Sequence, residues 1–347
     1  MKTLLKQSPI YFLLAALLIL QGCKTEKKAG ETPAVDTTPV NYSTWMADSE
    51  IDRNPEGWTL DFNEKPKWEY THGLIMTSME KLYEATGEEK YLDYIKNFAE
   101  FMIDEQGVIK TYKQSDYNID RVQGGRFLIG LYKETGEERY KIAIEELRQQ
   151  MKDHPRTSEG GFWHKKIYPY QMWLDGLYMG STFLARYADA FEEPELFDDV
   201  ANQFYLMDKY AYTPETGLYH HAWDESKEQR WADPKTGLST NYWGRSIGWF
   251  AMAVVDVLDY FPKEHPKREA LIDIAQKLAA GIVKYQDPGT GVWYQVLDQG
   301  TREGNYLEAS ASSMYAYFLL KGAEKGYLDP KYRDAGIKAY EGVLDEF

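Results

Sequence analysis

The sequence predicts an all-α fold made of stacked helical hairpins. A ten-residue segment that joins two apolar helical stretches, LYEATGEEKY at residues 82–91, recurs 49 residues later as LYKETGEERY at residues 131–140. Apolar residues lie at helical spacing on both sides of these segments. No glycine-rich phosphate loop follows a predicted strand, so neither a Rossmann fold nor a P-loop fold is supported.

The repeated segment has the composition of a turn between two helices. Gly87 and Gly136 occupy the position where a left-handed helix C-cap is expected, and the Glu pair that follows each of them suits a helix N-terminus. Weaker copies of the segment lie at residues 185–194, 257–262 and 322–327. The sequence therefore predicts five hairpins, and the region around Trp45 and Trp68 is the candidate for a sixth.

The helices before each turn differ in kind from those after it. The preceding stretches are mostly apolar and small, and they lie at residues 124–132, 174–187, 246–259 and 309–321. The following stretches are amphipathic, as at residues 91–102, where Lys and Glu separate the apolar positions. This predicts inner helices buried on several faces and outer helices exposed on one. Such hairpins form either an open solenoid or a closed α/α barrel, and the unequal repeat spacing favours the barrel.

Composition and charge narrow the range of functions. The chain has 347 residues, enough for a full hydrophobic core in one or two domains. Its formal net charge of -15 argues against nucleic acid as a partner, because phosphate binding needs a basic face. Aromatic residues make up 15% of the chain. Tyr and Trp combine a flat apolar face with a polar edge, which suits sugar rings, although many of them belong to the core.

The N-terminal region has the features of an export signal. Lys2 and Lys6 precede an apolar run at residues 10–20 that is too short to span a bilayer. The sequence LQGC at residues 20–23 follows, and it resembles the end of a bacterial lipoprotein signal, in which Cys23 becomes the lipidated N-terminus. The alternative is a cleaved secretory peptide with an incidental cysteine. As the only cysteine, Cys23 also excludes an internal disulfide.

These features predict three regions and a cellular location. We expect a lipoprotein signal at residues 1–23, a flexible polar tether at residues 24–44 and a single catalytic barrel domain at residues 45–347. The protein is then expected in the cell envelope, lipid-anchored at the outer membrane and facing the periplasm or the surface. The lipid anchor would be its only contact with a membrane.

Two carboxylates occupy equivalent places in adjacent hairpins. Asp175 begins an apolar helix directly after Trp173 and Leu174, and Asp120 lies just before the helix at residues 124–132. Each of these aspartates can serve as a helix N-cap. A carboxyl flanked by aromatic rings can also have a raised pKa, which a general acid needs near neutral pH. Because both carboxylates would face one central cavity, the pair indicates acid–base chemistry.

Other polar and aromatic residues lie in the same loops. Arg245, at the start of an inner helix, is expected to bind a carboxylate, and the alternative is a structural ion pair. His221 is expected to donate or accept a hydrogen bond near a substrate. The adjacent His220 and His221 cannot both face one metal, and no HExxH motif occurs, so neither a metal nor a cofactor is predicted. The candidate substrate-binding residues are Tyr70, His72, His164, Trp173, Trp243, Arg245 and Trp249.

As an ordered set, these residues resemble glycoside hydrolase family 105, the unsaturated rhamnogalacturonyl hydrolases. The resemblance covers residues 42–347. It rests on the motifs QMWLDGLYM at 171–179, FLA at 183–185, HAWD at 221–224 and WGRSIGW at 243–249, together with Asp120 and His164. Residues 180–183 lack the proline that is often found before the Phe in this family, which affects helix packing more than chemistry.

The resemblance implies an (α/α)6 barrel and an oligosaccharide substrate that ends in a 4,5-unsaturated uronic acid. Asp175 is then the general acid that protonates C4 of the ring double bond, after which water adds at C5. Asp175 acts with His221 or Asp120 to place that water. The hemiketal opens and releases the unsaturated unit as a keto acid, and the capped saccharide becomes free. Trp173, Trp243 and Trp249 would stack on the ring, and the chemistry assigns its carboxylate to Arg245.

Three other functions stay open at this point. A related unsaturated glucuronyl hydrolase would have the same fold and reaction but would act on other glycans. A sugar epimerase on an α/α barrel would use histidine pairs for proton abstraction, and the chain has 6 His. A glycan-binding lipoprotein without catalytic activity would use the aromatic residues alone. Replacement of Asp175 by Asn separates the last of these from a hydrolase.

Overall fold

The computed structural model describes residues 41–347. The predicted signal, the lipidation site Cys23 and the tether up to residue 40 lie outside the described residues. The first described helix begins at Tyr42, so residues 42–44 are helical and do not belong to a flexible tether. None of the helices described here has both the length and the apolar character needed to cross a membrane.

Within residues 41–347, eleven long helices alternate between the outside and the inside of a barrel. The outer helices are α1 (Tyr42–Arg53), α3 (Glu89–Met102), α5 (Glu138–Asp153), α7 (Leu196–Ala211), α9 (Arg268–Val283) and α11 (Tyr332–Glu346). The inner helices are α2 (Tyr70–Thr86), α4 (Gly125–Thr135), α6 (Leu174–Gly176 continued by Leu177–Ser181 and Thr182–Ala190), α8 (Gly244–Val257) and α10 (Ala309–Glu324). The prediction of an all-α barrel of helical hairpins is confirmed.

Inner and outer helices differ in burial as the sequence predicts. In α8 every residue is buried except Arg245 and Met252, which are half-buried. In α3 the buried residues form one stripe, and Phe98 on that stripe stacks on Trp68 with ring centroids 6.1 Å apart. Burying one such aromatic side chain contributes about 1.5–3 kcal/mol to folding. The stripes on the outer helices therefore hold them against the inner ring.

The repeated turns adopt the predicted left-handed geometry. Gly87 and Gly136 each have a φ of 70°, a value that a residue with a Cβ atom adopts only with strain. Their backbone N–H groups donate to the carbonyl oxygens of Tyr83 and Tyr132, both at 2.8 Å. These bonds close the inner helices α2 and α4, and the outer helices α3 and α5 begin within three residues.

The inner helices run in one direction, so their N-termini lie at one end of the barrel. Helix α2 packs on α4, α4 on α6, α6 on α8, and α8 on α10. Helices α2 and α10 face each other across a cavity of about 320 Å³ whose lining includes Thr77, Trp249 and Tyr317. Aligned helix N-termini carry partial positive charge, which favours an anionic ligand at this end of the barrel.

Two short antiparallel strand pairs connect the loops at this end. Strand β1 (Gln171–Trp173) pairs with β4 (Ala222–Asp224), with Trp173 opposite Ala222. Strand β2 (Tyr212–Thr213) pairs with β3 (Leu218–Tyr219). The pairing of β1 with β4 brings the loop before α6 next to the loop before α8. Trp173 and Asp175 of one hairpin thereby come close to His221 of the next.

Candidate active site

The strand pairing places Asp175 next to His221. Trp173 ends β1 and forms the N-cap of α6, so the chain turns directly from strand into helix. The backbone N–H of Leu174 donates to the carbonyl oxygen of His221 at 3.0 Å. A π-helical turn, Leu177–Ser181, follows Asp175, and such turns often occur at functional sites.

Asp175 has an environment that raises the pKa of its carboxyl group. Burial raises the pKa of Asp175 above the ordinary value, because desolvation disfavours the charged form. The nearby His164 and a hydrogen bond from the hydroxyl of Ser246 lower this pKa and oppose the effect in part, and the charge of Asp120 raises it further. The N-cap role is not observed, since Trp173 caps the helix and Asp175 lies inside it.

Asp120 lies in the same pocket but has its own partners. It belongs to a short 3-10 helix, Ile119–Val122, that precedes α4. One carboxylate oxygen lies 2.7 Å from Nζ of Lys165, and the other lies 3.3 Å from Nε2 of His164. Because both oxygens already contact a donor, Asp120 is less suited than a free base to take a proton from water.

His221 has the geometry of a neutral base. Its Nδ1 lies 3.2 Å from the carbonyl oxygen of Asn241. A carbonyl oxygen can only accept, so Nδ1 carries the hydrogen and Nε2 keeps a lone pair. Burial lowers the pKa of His221, opposed in part by this hydrogen bond and by the charge of Asp175. The imidazole is therefore neutral near pH 7 and can accept a proton.

Trp173 lies at the centre of an aromatic wall. Its ring stacks on His164 at a centroid distance of 5.3 Å and on Tyr168 at 5.9 Å. It meets His221 edge-on at 5.8 Å and Trp231 edge-on at 6.3 Å. None of these rings apart from His164 is fully buried, so the wall offers flat apolar surface to a ligand.

Arg245 packs on Trp243, whose ring meets His221 edge-on at 5.7 Å. Its guanidinium carbon lies 4.5 Å from the ring centre of Trp243, and its Nη1 lies 3.4 Å from a carboxylate oxygen of Glu308. The Arg245 side chain keeps 38% of its surface exposed. The ion pair that the sequence left open is present, but this long single contact leaves donors of the guanidinium available to a ligand.

Tyr70 and Trp249 pack against each other. Trp249 is almost fully buried and packs against Tyr178 at 4.7 Å and against Tyr70 at 6.0 Å. Burial and the charges of Asp120 and other carboxylates raise the pKa of Tyr70, while Arg245 lowers it. The contact between Tyr70 and Trp249 joins the first turn of α2 to α8.

The structure does not bring His72 to this site, which corrects the prediction for that residue. Its ring stacks on Phe98 of the outer helix α3 at 5.3 Å, and its Nε2 lies 3.2 Å from the carbonyl oxygen of Trp58. His72 lies two positions after Tyr70, a rotation of about 200° around the helix. Because Tyr70 faces the pocket, His72 faces the outer helices.

Four residues of the site carry no role in the sequence prediction. They are Lys165, Trp231, Ser246 and Glu308. Glu308 had a usable signal, because it directly precedes an inner helix as Asp120 does, and it caps α10 by accepting from the N–H of Ala311 at 2.6 Å. Trp231 lies in a loop without periodicity, so nothing in the sequence points to it.

Two buried polar atoms of the pocket lack a partner among residues 41–347. They are Nδ1 of His164 and Nε1 of Trp243. A buried polar group without a hydrogen bond is costly, and Nδ1 of His164 faces the backbone of Gly176 in α6. No group of three or more His, Cys, Asp or Glu side chains in this part of the chain is arranged to hold a metal ion.

A family profile and a solved structure both match this chain over most of its length. The profile described as Glycosyl Hydrolase Family 88 matches residues 42–347. A solved structure of a family 105 glycoside hydrolase from C. acetobutylicum is 47% identical, with a TM-score of 0.85, and the match covers 89% of this chain and 84% of that chain.

Two curated proteins are also similar. The unsaturated rhamnogalacturonyl hydrolase YesR of Bacillus subtilis is 28% identical over 285 residues, which covers 80% of this chain and 77% of that protein. Protein Atu3128 of Agrobacterium fabrum is 41% identical over 167 residues, which covers 48% of this chain and 70% of that protein.

Proposed function

Because the chain belongs to glycoside hydrolase family 105, we propose that it removes a 4,5-unsaturated uronic acid from the non-reducing end of rhamnogalacturonan fragments that a polysaccharide lyase has produced. The chain is a glycoside hydrolase of the unsaturated glycuronyl type. The preference for rhamnogalacturonan is supported by the similarity to YesR.

The burial of the Asp175 carboxyl beside His221 carries this proposal. Burial raises the pKa of its carboxyl, and the neutral His221 lies beside it. Hydration of an enol ether double bond needs a proton donor and a base for water, and these two residues supply both. The aromatic wall suits a sugar ring.

The reaction follows from these positions. Asp175 transfers its proton to C4, the electron pair of the C4=C5 bond forms the new C–H bond, and a cation stabilised by the ring oxygen develops at C5. Water attacks C5 and gives its proton to Nε2 of His221. The hemiketal at C5 then opens to a ketone as the bond between C5 and the ring oxygen breaks. C1 is left as a hemiacetal, which expels the saccharide. Return of the proton from His221 to Asp175 completes the cycle.

The pocket also supplies positive charge for the uronate carboxylate. The protein as a whole is acidic, so a local attraction is needed to hold an anion. The partly exposed guanidinium of Arg245 and the N-termini of the inner helices provide it. We assign the uronate carboxylate to Arg245 on this basis.

The first prediction concerns the substrate. We expect the protein to abolish the ultraviolet absorbance of the conjugated double bond in an unsaturated galacturonyl-rhamnose disaccharide, faster than in a glucuronyl-based one. A faster reaction with the glucuronyl compound would move the assignment to the unsaturated glucuronyl hydrolases. Stable absorbance with both, at high enzyme concentration and with folded protein, contradicts the proposed hydrolysis and favours glycan binding.

The second prediction concerns Arg245. We expect Arg245→Lys to raise KM about tenfold or more with a smaller change in kcat, because Lys cannot present a planar pair of donors to a carboxylate. Arg148→Lys is the matched control, since Arg148 also lies over an aromatic ring, 5.6 Å from Tyr187, and pairs with Glu193 at 3.1 Å. An unchanged KM in Arg245→Lys would assign the carboxylate to another residue.

A further inference from the structure

Ser246 lies where a hydroxyl can control the general acid. It is fully buried in the first turn of α8, and its hydroxyl donates a hydrogen bond to Oδ2 of Asp175, 71 residues away in the sequence. This bond joins the N-termini of α6 and α8. No other side-chain hydroxyl of residues 41–347 is found donating to Asp175.

The position of Ser246 in its helix explains why this hydroxyl points into the site. Buried hydroxyls on inner helices normally donate to the carbonyl four residues earlier, as Ser312 does to Glu308 and Thr77 to Gly73. Four residues before Ser246 lies Tyr242, which precedes the helix and whose carbonyl accepts from the N–H of Leu297 at 3.1 Å. The Ser246 hydroxyl thus has no helical carbonyl to bind and donates to the carboxyl instead.

We propose that Ser246 is a positioning residue that fixes which oxygen of Asp175 carries the catalytic proton. This inference rests on the proposed function for its catalytic part. In a neutral carboxyl group the carbonyl oxygen accepts and the hydroxyl oxygen donates. Donation by Ser246 makes Oδ2 the accepting oxygen, so the proton resides on Oδ1. Ser246 also limits rotation of the carboxyl group.

The other groups that face Asp175 come from four separate elements. They are His164 in the loop before β1, Asp120 in the 3-10 helix, His221 in the segment before β4 and Tyr70 in α2. The Ser246 hydroxyl differs from all four, because it is a neutral donor that points at one oxygen of Asp175. The Ser246 bond lowers the pKa of Asp175, so its removal moves that pKa upward.

The experiment compares Ser246→Ala with the wild type in two measurements. The first is the pKa of Asp175, followed by the infrared carbonyl band of its protonated form and assigned with Asp175→Asn. This measurement needs no substrate, so it stays informative if the proposed hydrolysis is not observed. The second is the pH profile of kcat/KM on the unsaturated disaccharide. Ser312→Ala, another buried serine of an inner helix, is the matched control, and Ser246→Thr retains the hydroxyl.

In Ser246→Ala we expect a higher pKa of Asp175, a basic limb of kcat/KM displaced to higher pH, and a kcat about tenfold lower with little change in KM. Ser312→Ala and Ser246→Thr should keep the wild-type limb. An unchanged pKa of Asp175 in Ser246→Ala overturns the proposal, whatever the activity. A lower kcat with an unshifted limb also overturns it, because loss of packing alone would give that result.

Discussion

The Asp175→Asn variant should lose roughly a thousandfold in kcat on an unsaturated disaccharide while it still binds the substrate. The amide has nearly the shape of the carboxyl but has no acidic proton to transfer to C4. Substrate contacts through the aromatic wall and Arg245 are unchanged, so the dissociation constant should stay close to that of the wild type. Turnover is measured by the loss of ultraviolet absorbance and binding by calorimetry.

A matched substitution separates the loss of the acid from a general effect of replacing an aspartate by an asparagine. Asp233 lies in an exposed turn, where its carboxylate accepts from the N–H groups of Lys235 and Thr236. Asp233→Asn makes the same side-chain replacement away from the site and should keep wild-type kcat. If Asp175→Asn keeps more than a tenth of the wild-type turnover, another group supplies the proton.

The same variant distinguishes a hydrolase from a protein that only binds glycans. A binding protein would hold the disaccharide equally well with Asp175 or Asn at this position, and neither form would consume the double bond. A hydrolase would show equal binding and a large difference in turnover. Binding and turnover must therefore be measured on the same two proteins.

The barrel could be predicted because its hairpins repeat and because their signals are local. Gly87 and Gly136 mark the ends of inner helices by their need for positive φ, and the next helix begins with Glu in both cases. Inner and outer helices differ in apolar pattern over a dozen residues. Such signals lie within a few turns of the residues that they describe. The predicted inner helices therefore differ from the observed ones by only a few residues at their ends.

The site could be predicted only in part, since its contacts join distant residues. Asp175 and Asp120 were recognisable because each comes just before or at the start of an inner helix. The direction of a side chain around its helix is harder to predict, and His72 points away from the pocket for that reason. The bond from Ser246 to Asp175 depends on how two helices pack, and no local pattern contains that information.

A second carboxylate, Asp256, should govern stability rather than catalysis. It lies fully buried in α8, toward the end of the barrel opposite to Arg245. Its two oxygens contact Arg126 at 2.8 Å, Lys321 at 2.6 Å and the hydroxyl of Tyr317 at 2.7 Å. These partners come from α4 and α10, so one side chain connects three inner helices.

Asp256 is the fully buried carboxylate of an ion cluster in which Lys321 also pairs with Asp259 at 2.7 Å. Burial alone would raise the pKa of Asp256, but the charges of Arg126, Lys321 and Lys81 outweigh this effect and hold the pKa well below its usual range. The carboxylate therefore stays ionised at neutral pH, and its negative charge offsets the positive charges of these partners. Removing it would leave Arg126 buried without a carboxylate partner.

We expect Asp256→Asn to lower the free energy of unfolding at pH 7 by about 3–5 kcal/mol, measured by urea denaturation. Because the pKa of Asp256 is lower in the folded protein, the stabilisation is complete above its unfolded pKa of about 3.9 and decreases as the pH falls toward the folded pKa. The difference between variant and wild type should shrink in that range.

Asp198→Asn provides the comparison for the stability effect. Asp198 also forms an ion pair, with Lys267 at 2.8 Å, but its side chain is 62% exposed, and water screens the pair. Its replacement should leave the unfolding curve almost unchanged. Equal effects of the two substitutions would mean that the contacts of Asp256 do not stabilise the barrel. A large loss of unfolding free energy for Asp256→Asn alone would show that the buried contacts of Asp256 stabilise the packing of α4, α8 and α10.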